Sequence, residues 1–408
     1  MSGLTISATG VTELRKRVAG TVCVPGDEGY QRLAAAWNLT ARQEPAVVVA
    51  PTGASDVAQA VRIASAEGLR VAVQNTGHGA AGRLGGDTLL LNMRALDGIQ
   101  VDGATHTAEV GAGASWGSLA QPAATDGLAG LAGTAGGVGI AGYTFLGGVG
   151  WLARPRGLAS ASLFGVDYVD AAGRIGHADE HTDPDALWAF RGGGGVGIAI
   201  SLRFRLYAHA RLYAGARFWP VEDTPTVLAR WLAWTAQLPP SLTSLAWALQ
   251  APAAPGIPEP LRGRAVIGVG ACGAAPDGDR ARIADCFAGL PAPLLDTFRD
   301  RSPAELTDIH MDPPGPVPAR GDGRLVARPD PATASALFQA SAVADRGPLT
   351  FVELRHLGGA AAEGSIEGAL TVLDGEFALV ATGAAADAAQ AATVEAQLRR
   401  IADAAAPV

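Results

Sequence analysis

At 408 residues the chain is too long for one ordinary core and predicts two or three domains of roughly 100 to 200 residues each. Hydrophobic residues make up 48% and charged residues 17%, which excludes a disordered or fibrous chain, and a formal net charge of −8 argues against a nucleic-acid partner. Cys23, Cys272 and Cys286 are odd in number, far apart and without paired ligand spacing, so neither a disulfide framework nor a metal site is expected.

In chain order, the opening "MSGLTISATGVTELRKRV" lacks an apolar signal core, and "LRKRV" reads as a solvated charge cluster on a short helix. No run of about 18 apolar residues follows, so a cytoplasmic chain without a membrane span is expected. From residue 44 the pattern is βαβ: "PAVVVAP", then "GASDVAQAVRIASAEG" with apolar spacing near 3.6 and Ser55 or Asp56 as N-cap, then "RVAVQN". Strands follow at "DTLLLNM" and "TAEVGAGA", a helix at "SWGSLAQPAATDG", and strands at "LFGVDYVDA" and "GIAISLRFRLY", closing a first domain near residue 206. Beyond it the strands "LYAGARFWPV", "SLAWALQA", "RAVIGVGAC", "LTFVELRHLGGA" and "EFALVATG" and four helices, with a Pro-rich loop "HMDPPGPVPARGDG", predict an antiparallel sheet with helices on one face.

The 54 glycines concentrate in runs at 77–86, 133–150 and 192–197. No GxxxxGK[ST] occurs, and no strand, GxGxxG, helix unit with an acid about 20 residues on; "GAGASWG" is the nearest approach. Three glycine loops converging on one extended diphosphate ligand, each offering N–H donors unobstructed by side chains, is the coherent physical reading. His78 stands between Gly77 and Gly79 at a strand end, where its imidazole is held and its backbone can approach another group.

"PTGASDVAQAVRIASAEGLRVAVQNTGHGAAG", "GVGIAGYTFLGGVGWLARPRGLA" and "RGGGGVGIAISLRFRL", in that order, resemble the FAD-linked oxidases of the vanillyl-alcohol oxidase superfamily, in the berberine-bridge-enzyme-like branch. The resemblance is dense over about 44–206 and looser beyond, chiefly at "ELRHLGGA". It implies an α+β fold: a two-part FAD-binding domain over 1–206, and a substrate domain over 207–408 built as an antiparallel sheet with helices on one face. It places His78 as the covalent attachment point of FAD, in a loop Gln74, Asn75, Thr76, Gly77, His78, Gly79 whose amides hold the diphosphate. Gln74 replaces the usual arginine, removing one fixed positive charge. Ala135 stands where many members carry a second, cysteinyl link, so attachment through His78 alone is expected. Thr134, Ala135, Val138, Gly139, Gly142, Tyr143, Gly148 and Val149 of the second stretch and Gly195, Gly197 and Ile198 of the third complete the expected FAD contacts.

For chemistry the resemblance implies hydride transfer from a small alcohol, sugar-like or secondary-metabolite substrate to the flavin, with dioxygen reoxidising it and hydrogen peroxide released. A small side chain at Val138 favours oxygen access. Tyr143 borders the flavin, bonding the ring or the substrate or simply packing there. Glu353 and Arg355, two apart on a strand, share one face, with Glu353 kept ionised as an anchor and His356 on the opposite face. Leu379 occupies about the place of a catalytic glutamate in some relatives, leaving the base unidentified. His310 is expected at the surface. The sequence ends before the segment that in relatives returns to the FAD domain, and a monomer or homodimer is expected. Alternatives are a flavin-binding protein without turnover and a nicotinamide-dependent reductase.

Overall fold

The computed structural model describes residues 5–80, 82–364 and 366–406. Ala81 in the glycine loop and the outer limits of the two expected domains lie outside the described residues.

Helix α1 (Ala8–Arg17) ends in Arg15, Lys16 and Arg17, cations that suit the carbonyl end of a helix. Strands β1 (Thr21–Cys23) and β2 (Val47–Ala50), helix α2 (Ala54–Ala66), and strands β3 (Arg70–Gln74) and β4 (Thr88–Asn92) form the expected βαβ unit; β4 lies parallel between β2 and β3, and β1 pairs antiparallel outside β2. Neither Ser55 nor Asp56 caps α2: Gly53 does. Asp56 instead turns inward, and its carboxylate accepts from the amides of Ala19, Gly20 and Thr52 at 2.9–3.0 Å, tying β1 to the helix start.

Five antiparallel strands follow: β5 (Ile99–Asp102), β6 (Thr107–Gly111), β7 (Leu163–Val169), β8 (Ile175–Asp179) and β9 (Ile198–Arg205), in the order β8-β7-β9-β6-β5. Between β6 and β7 run α3 (Trp116–Thr125), capped by Ser115, and the short α4 (Ile140–Phe145).

The third sheet is antiparallel throughout: β10 (Leu212–Pro220), β11 (Leu242–Gln250), β12 (Ala265–Gly273), β13 (Ala319–Val326), β14 (Leu349–His356) and β15 (Phe377–Ala384), in the order β10-β12-β11-β14-β15-β13, with two short segments on β10. Its faces alternate with period two. Trp219, Ala246, Leu354 and Leu379 pack with Trp231, Leu337 and Val394 of the helices α5 (Thr224–Thr235), α7 (Pro331–Ala340) and α8 (Ala388–Ala405), while α6 (Pro276–Cys286) covers the β12 end. Phe218, Leu245 and Trp247 on the other face join the core of the first half. Gly268 and Gly270 lie there because a Cβ would stand 2.8 Å from Phe218 or 2.9 Å from Trp151. The helices therefore cover one face, as expected. The Pro-rich loop is shorter than the sequence suggested, because Ala319–Val326 forms edge strand β13.

Candidate active site

Loop 75–79 leaves β3 with its carbonyls committed to one side. Asn75 and Thr76 oxygens accept from Arg94, Thr76 oxygen also from the Trp37 amide at 2.9 Å, and Gly77 oxygen from the Asn38 amide at 3.3 Å. Across each trans peptide the next N–H points opposite to the carbonyl, so the amides of Thr76, Gly77 and His78 are presented together on the other side. Such a row of N–H groups suits an anion. Gly77 is required here: its φ is +81°, and a Cβ would stand 2.7 Å from Ala36 Cα.

Gln74 does not face this anion side. It is buried, donating to Ala35 oxygen at 3.1 Å and accepting from Gln43 at 2.8 Å. A positive charge stands on the carbonyl side of the loop: Arg94, in the single 3-10 turn that follows β4, whose pKa desolvation lowers. Its position was legible in principle: β4 runs parallel to β3 with Asn92 opposite Gln74, so residues just beyond β4 lie beside the loop.

The His78 ring stacks on Trp37, centroids 4.2 Å apart and planes 18° apart, and its Nδ1 lies 2.8 Å from Thr76 Oγ1. Burial lowers its pKa, Asp312 opposing and Arg94 assisting. His78, Trp37, Ala135, Gly136, Gly137 and Asp312 share one cavity of about 430 Å³ with α3 and with Thr307 and Asp308. Asn75 reaches across to the carbonyls of Ala112 and Ala114, both at 3.1 Å, and Gly139 leaves room for it, since a Cβ there would stand 2.6 Å from Asn75 Nδ2. Gly79 and Gly142 border open space. Val138 is half-buried, its carbonyl accepting from the Trp116 amide at 3.0 Å.

From the cavity a chain of charges runs into the protein. Asp312 Oδ1 meets His310 Nδ1 at 2.8 Å, His310 Nε2 meets Glu353 Oε2 at 2.8 Å, Glu353 Oε1 accepts from Arg355 Nε at 2.9 Å, and Arg355 donates to Val149 oxygen at 2.9 Å. His310 is not a surface residue: it is 7% exposed and lies against Trp247 and Phe351. A Pro-rich loop reads as solvated, and the partner that buries this ring lies 43 residues away in sequence. Burial disfavours the charged ring, but Asp312 and Glu353 outweigh it and push its pKa up to about 9. Burial likewise opposes ionisation of Glu353, yet Arg355 and His310 hold it at about 2. Asp312 is lowered against burial mainly by His310, with Thr134 beside it.

Tyr143 lies on α4, its ring 5.6 Å from Trp116 and near Gly148, where φ is +79° and a Cβ would stand 2.5 Å from Tyr143 Cε1. Burial raises its pKa above the ordinary phenol value, so the hydroxyl stays protonated. Among the described residues, Tyr143 Oη, Asn75 Oδ1 and Asp312 Oδ2 are buried without a hydrogen-bond partner. Gly195, Gly197 and Ile198 do not line the cavity: they pack on Phe190 and Tyr168, and the Gly194 amide joins them to the far end of α4 through Phe145 oxygen at 2.8 Å. His356 faces away from Glu353, towards Arg154 and Phe377, and its pKa is pushed to about 3 by burial and Arg154. Leu379 pairs with Leu354 and so points to the helix side, whereas Ala378 and Val380 stand opposite Arg355 and Glu353.

Residues 45–179 match the FAD binding domain family. (R)-6-hydroxynicotine oxidase of Paenarthrobacter nicotinovorans is 32% identical over 205 residues, 50% of this chain and 45% of that protein. The chain spans about half the length of the curated relatives it matches. Among solved structures, the berberine-bridge-enzyme-like protein 1 of Physcomitrella patens superposes with a TM-score of 0.81 at 20% identity, covering 98% of this chain and 88% of that one. Wild-type Phl p 4, a glucose dehydrogenase, and its isoleucine-to-valine variant, a glucose oxidase, superpose with TM-scores of 0.79 and 0.80 at 18% identity, covering 98% of this chain and 85% of each.

Proposed function

We propose that this chain, with an FAD binding domain at residues 45–179 and the fold of the berberine-bridge-enzyme-like structures, is an FAD-dependent oxidoreductase acting on a small alcohol, amine, sugar-like or secondary-metabolite substrate, with FAD bonded covalently to His78 and reoxidised by dioxygen. The observation that carries the reading is the junction of two features at one cavity. A glycine loop presents amides and a neutral histidine, and a buried charge chain ends there at Asp312.

The residues fit the cofactor. The unpartnered Tyr143 Oη and Asn75 Oδ1 and the open space at Gly79 and Gly142 are what an extended polar ligand would satisfy and fill. The loop from Asn75 to Gly79 would hold the diphosphate with Arg94 behind it, and Thr134 to Tyr143 the ring system, while Gln74, Gly195, Gly197 and Ile198 would support the site through packing and not through contact with the ligand. When bound, FAD supplies the hydride acceptor. Residues up to 206 would bind it and those from 207 would cover the substrate.

Glu353 has both oxygens engaged and anchors Arg355 and His310 rather than taking a proton. Asp312 lines the cavity and has one buried oxygen, Oδ2, without a hydrogen-bond partner, which makes it the carboxylate we assign to receive a substrate O–H or N–H proton. Tyr143, protonated throughout the working range, donates a hydrogen bond. Two similar proteins suggest the range of substrates, one named for 6-hydroxynicotine and one called a glucose dehydrogenase.

Anaerobic addition of candidate alcohols, amines and sugars should bleach the flavin spectrum, and admitted air should restore it with hydrogen peroxide; a panel that never bleaches it removes the turnover reading. Acid precipitation should leave flavin on the wild-type polypeptide, and His78→Ala should release it to the supernatant. Complete release from the wild type removes the covalent part.

A further inference from the structure

We infer that His310 and Met311 are positioning residues for Asp312. The His310 ring, protonated on both nitrogens, commits Asp312 Oδ1 and leaves Oδ2 as the acceptor for a substrate group, and a left-handed turn at Met311 brings the two side chains together. The inference rests on the role given to Asp312 above and supplies what fixes that carboxylate.

Each ring nitrogen of His310 faces a carboxylate oxygen, Nδ1 at 2.8 Å from Asp312 Oδ1 and Nε2 at 2.8 Å from Glu353 Oε2. A lone pair set against a lone pair repels, so each contact holds a proton. Arg355 meets the other oxygen of Glu353 at 2.9 Å and fixes that residue as a carboxylate, so the Nε2 proton belongs to the ring. The proton between Nδ1 and Asp312 goes to the stronger base, ordinarily the imidazole. Asp312, His310, Glu353 and Arg355 then alternate in sign and sum to zero, the condition under which a buried row of charges holds together. Desolvation opposes each of these charges, and its neighbours outweigh it. Besides His310, the groups that act on Asp312 are Thr134, Arg355 of β14 and, at the cavity, His78, whose pKa burial lowers; Asp308 shares the cavity wall.

The ring cannot follow a moving carboxylate, because Trp247 and Phe351 pack on it with centroids 5.2 and 5.9 Å away. The backbone does the rest. Met311 stands at φ +59°, a left-handed conformation that glycine adopts readily and a larger side chain resists. Its side chain packs on the core of the first half, which holds the turn. Residues 310 and 312 are thereby set close enough for their side chains to bond. With Oδ1 committed, Oδ2 is left buried and without a partner. A substrate O–H or N–H bond that breaks at Asp312 therefore yields an Oδ2–H bond, and the contact of Oδ1 with His310 is kept.

The ring protons test the inference without substrate. In flavin-loaded protein labelled with nitrogen-15 histidine, one buried ring should show an N–H coupling at both nitrogens at neutral pH, and His310→Gln should erase that pair; a His310 ring with a single N–H overturns the inference. Carboxyl carbon-13 aspartate, assigned through Asp312→Asn, reports the carboxylate. Its titration should move to higher pH in His310→Gln, and an unmoved titration overturns the role given to His310. Met311→Gly keeps the turn and should titrate as the wild type does, whereas Met311→Ile keeps the bulk, resists the turn as a β-branched residue, and should titrate as His310→Gln does. Equal behaviour of the two Met311 variants overturns the role given to Met311. In anaerobic reduction by a substrate that bleaches the flavin, His310→Gln should be slower by about 10²-fold, with the acid limb of its pH profile displaced upward; a wild-type rate and profile overturn the positioning of the base. A wild type that no substrate bleaches removes the turnover reading instead, and the ring and carboxyl signals still decide how Asp312 is held.

Discussion

At the scale of single residues the informative groups are the buried ionisable ones. His310 carries a stability signature. Its folded-state value of about 9 lies above the ordinary histidine value of about 6.5, so its contribution is fully present below about pH 6.5 and is lost as pH rises through about 9. The melting temperature of the wild type should fall between pH 7 and 9.5, and His310→Gln should flatten that slope while lowering the plateau. A wild-type slope retained in the variant would assign it to other groups. Val138 belongs to the same scale. Lengthening it to leucine adds one methylene to a packed wall, so Val138→Leu should slow reoxidation of the reduced flavin by air severalfold while anaerobic reduction is nearly unchanged. Stopped-flow traces of the two half-reactions decide this, and equal reoxidation rates would show that Val138 is no gate.

Elements are where the sequence was most legible. The period of 3.6 in α2 and the short apolar runs of β2 and β3 give the βαβ unit directly, and glycines mark where backbone turns towards a ligand. Asp56 shows the limit of that reading, because its carboxylate serves β1 rather than the helix start. Asp56→Ala should strand these buried amides and cost about 3 kcal/mol, read as a lower urea midpoint with an unchanged slope. Burial works against its charge, but the hydrogen bonds win and lower its pKa, so the stabilisation is present above about pH 4 and fades in acid. Strand β13 was hidden for a different reason. Its residues Arg320 to Arg324 are mostly exposed and charged, the composition an edge strand uses to refuse further pairing, and this reads as a loop. His310 and Asp312 were missed because their meaning comes from contacts across the fold; loop composition alone says only that they are solvated.

For the whole molecule the decisive residue is Arg154. Buried at 5% exposure beside the glycine-rich second stretch, it donates to Leu242 oxygen at 2.6 Å and to Leu238 and Pro239 oxygens at 3.1 and 3.3 Å. It also donates to Leu357 oxygen and meets His356 Nε2 at 3.3 Å. One guanidinium therefore bolts the first two sheets to the third, and burial lowers its pKa only to about 10, so it stays charged at neutral pH. Arg154→Met, similar in length but without donors, leaves several buried carbonyls unpaired and should cost about 3 to 5 kcal/mol. Calorimetry should then show the two halves unfolding as separate transitions. A single cooperative transition in the variant would mean that apolar packing alone couples them.

The stitch between Asn38 and the stretch before β13 has a consequence in time. Asn38 bonds to Ala319 at 3.1 Å across 281 residues of chain, and the same turn carries Trp37 onto His78. At a synthesis rate of about 5–20 residues per second, the ribosome has already exposed the glycine loop for tens of seconds before the segment that fixes Trp37 exists. During synthesis the histidine loop is thus built early, and its packing against Trp37 is completed only once residues 317 to 319 have been made.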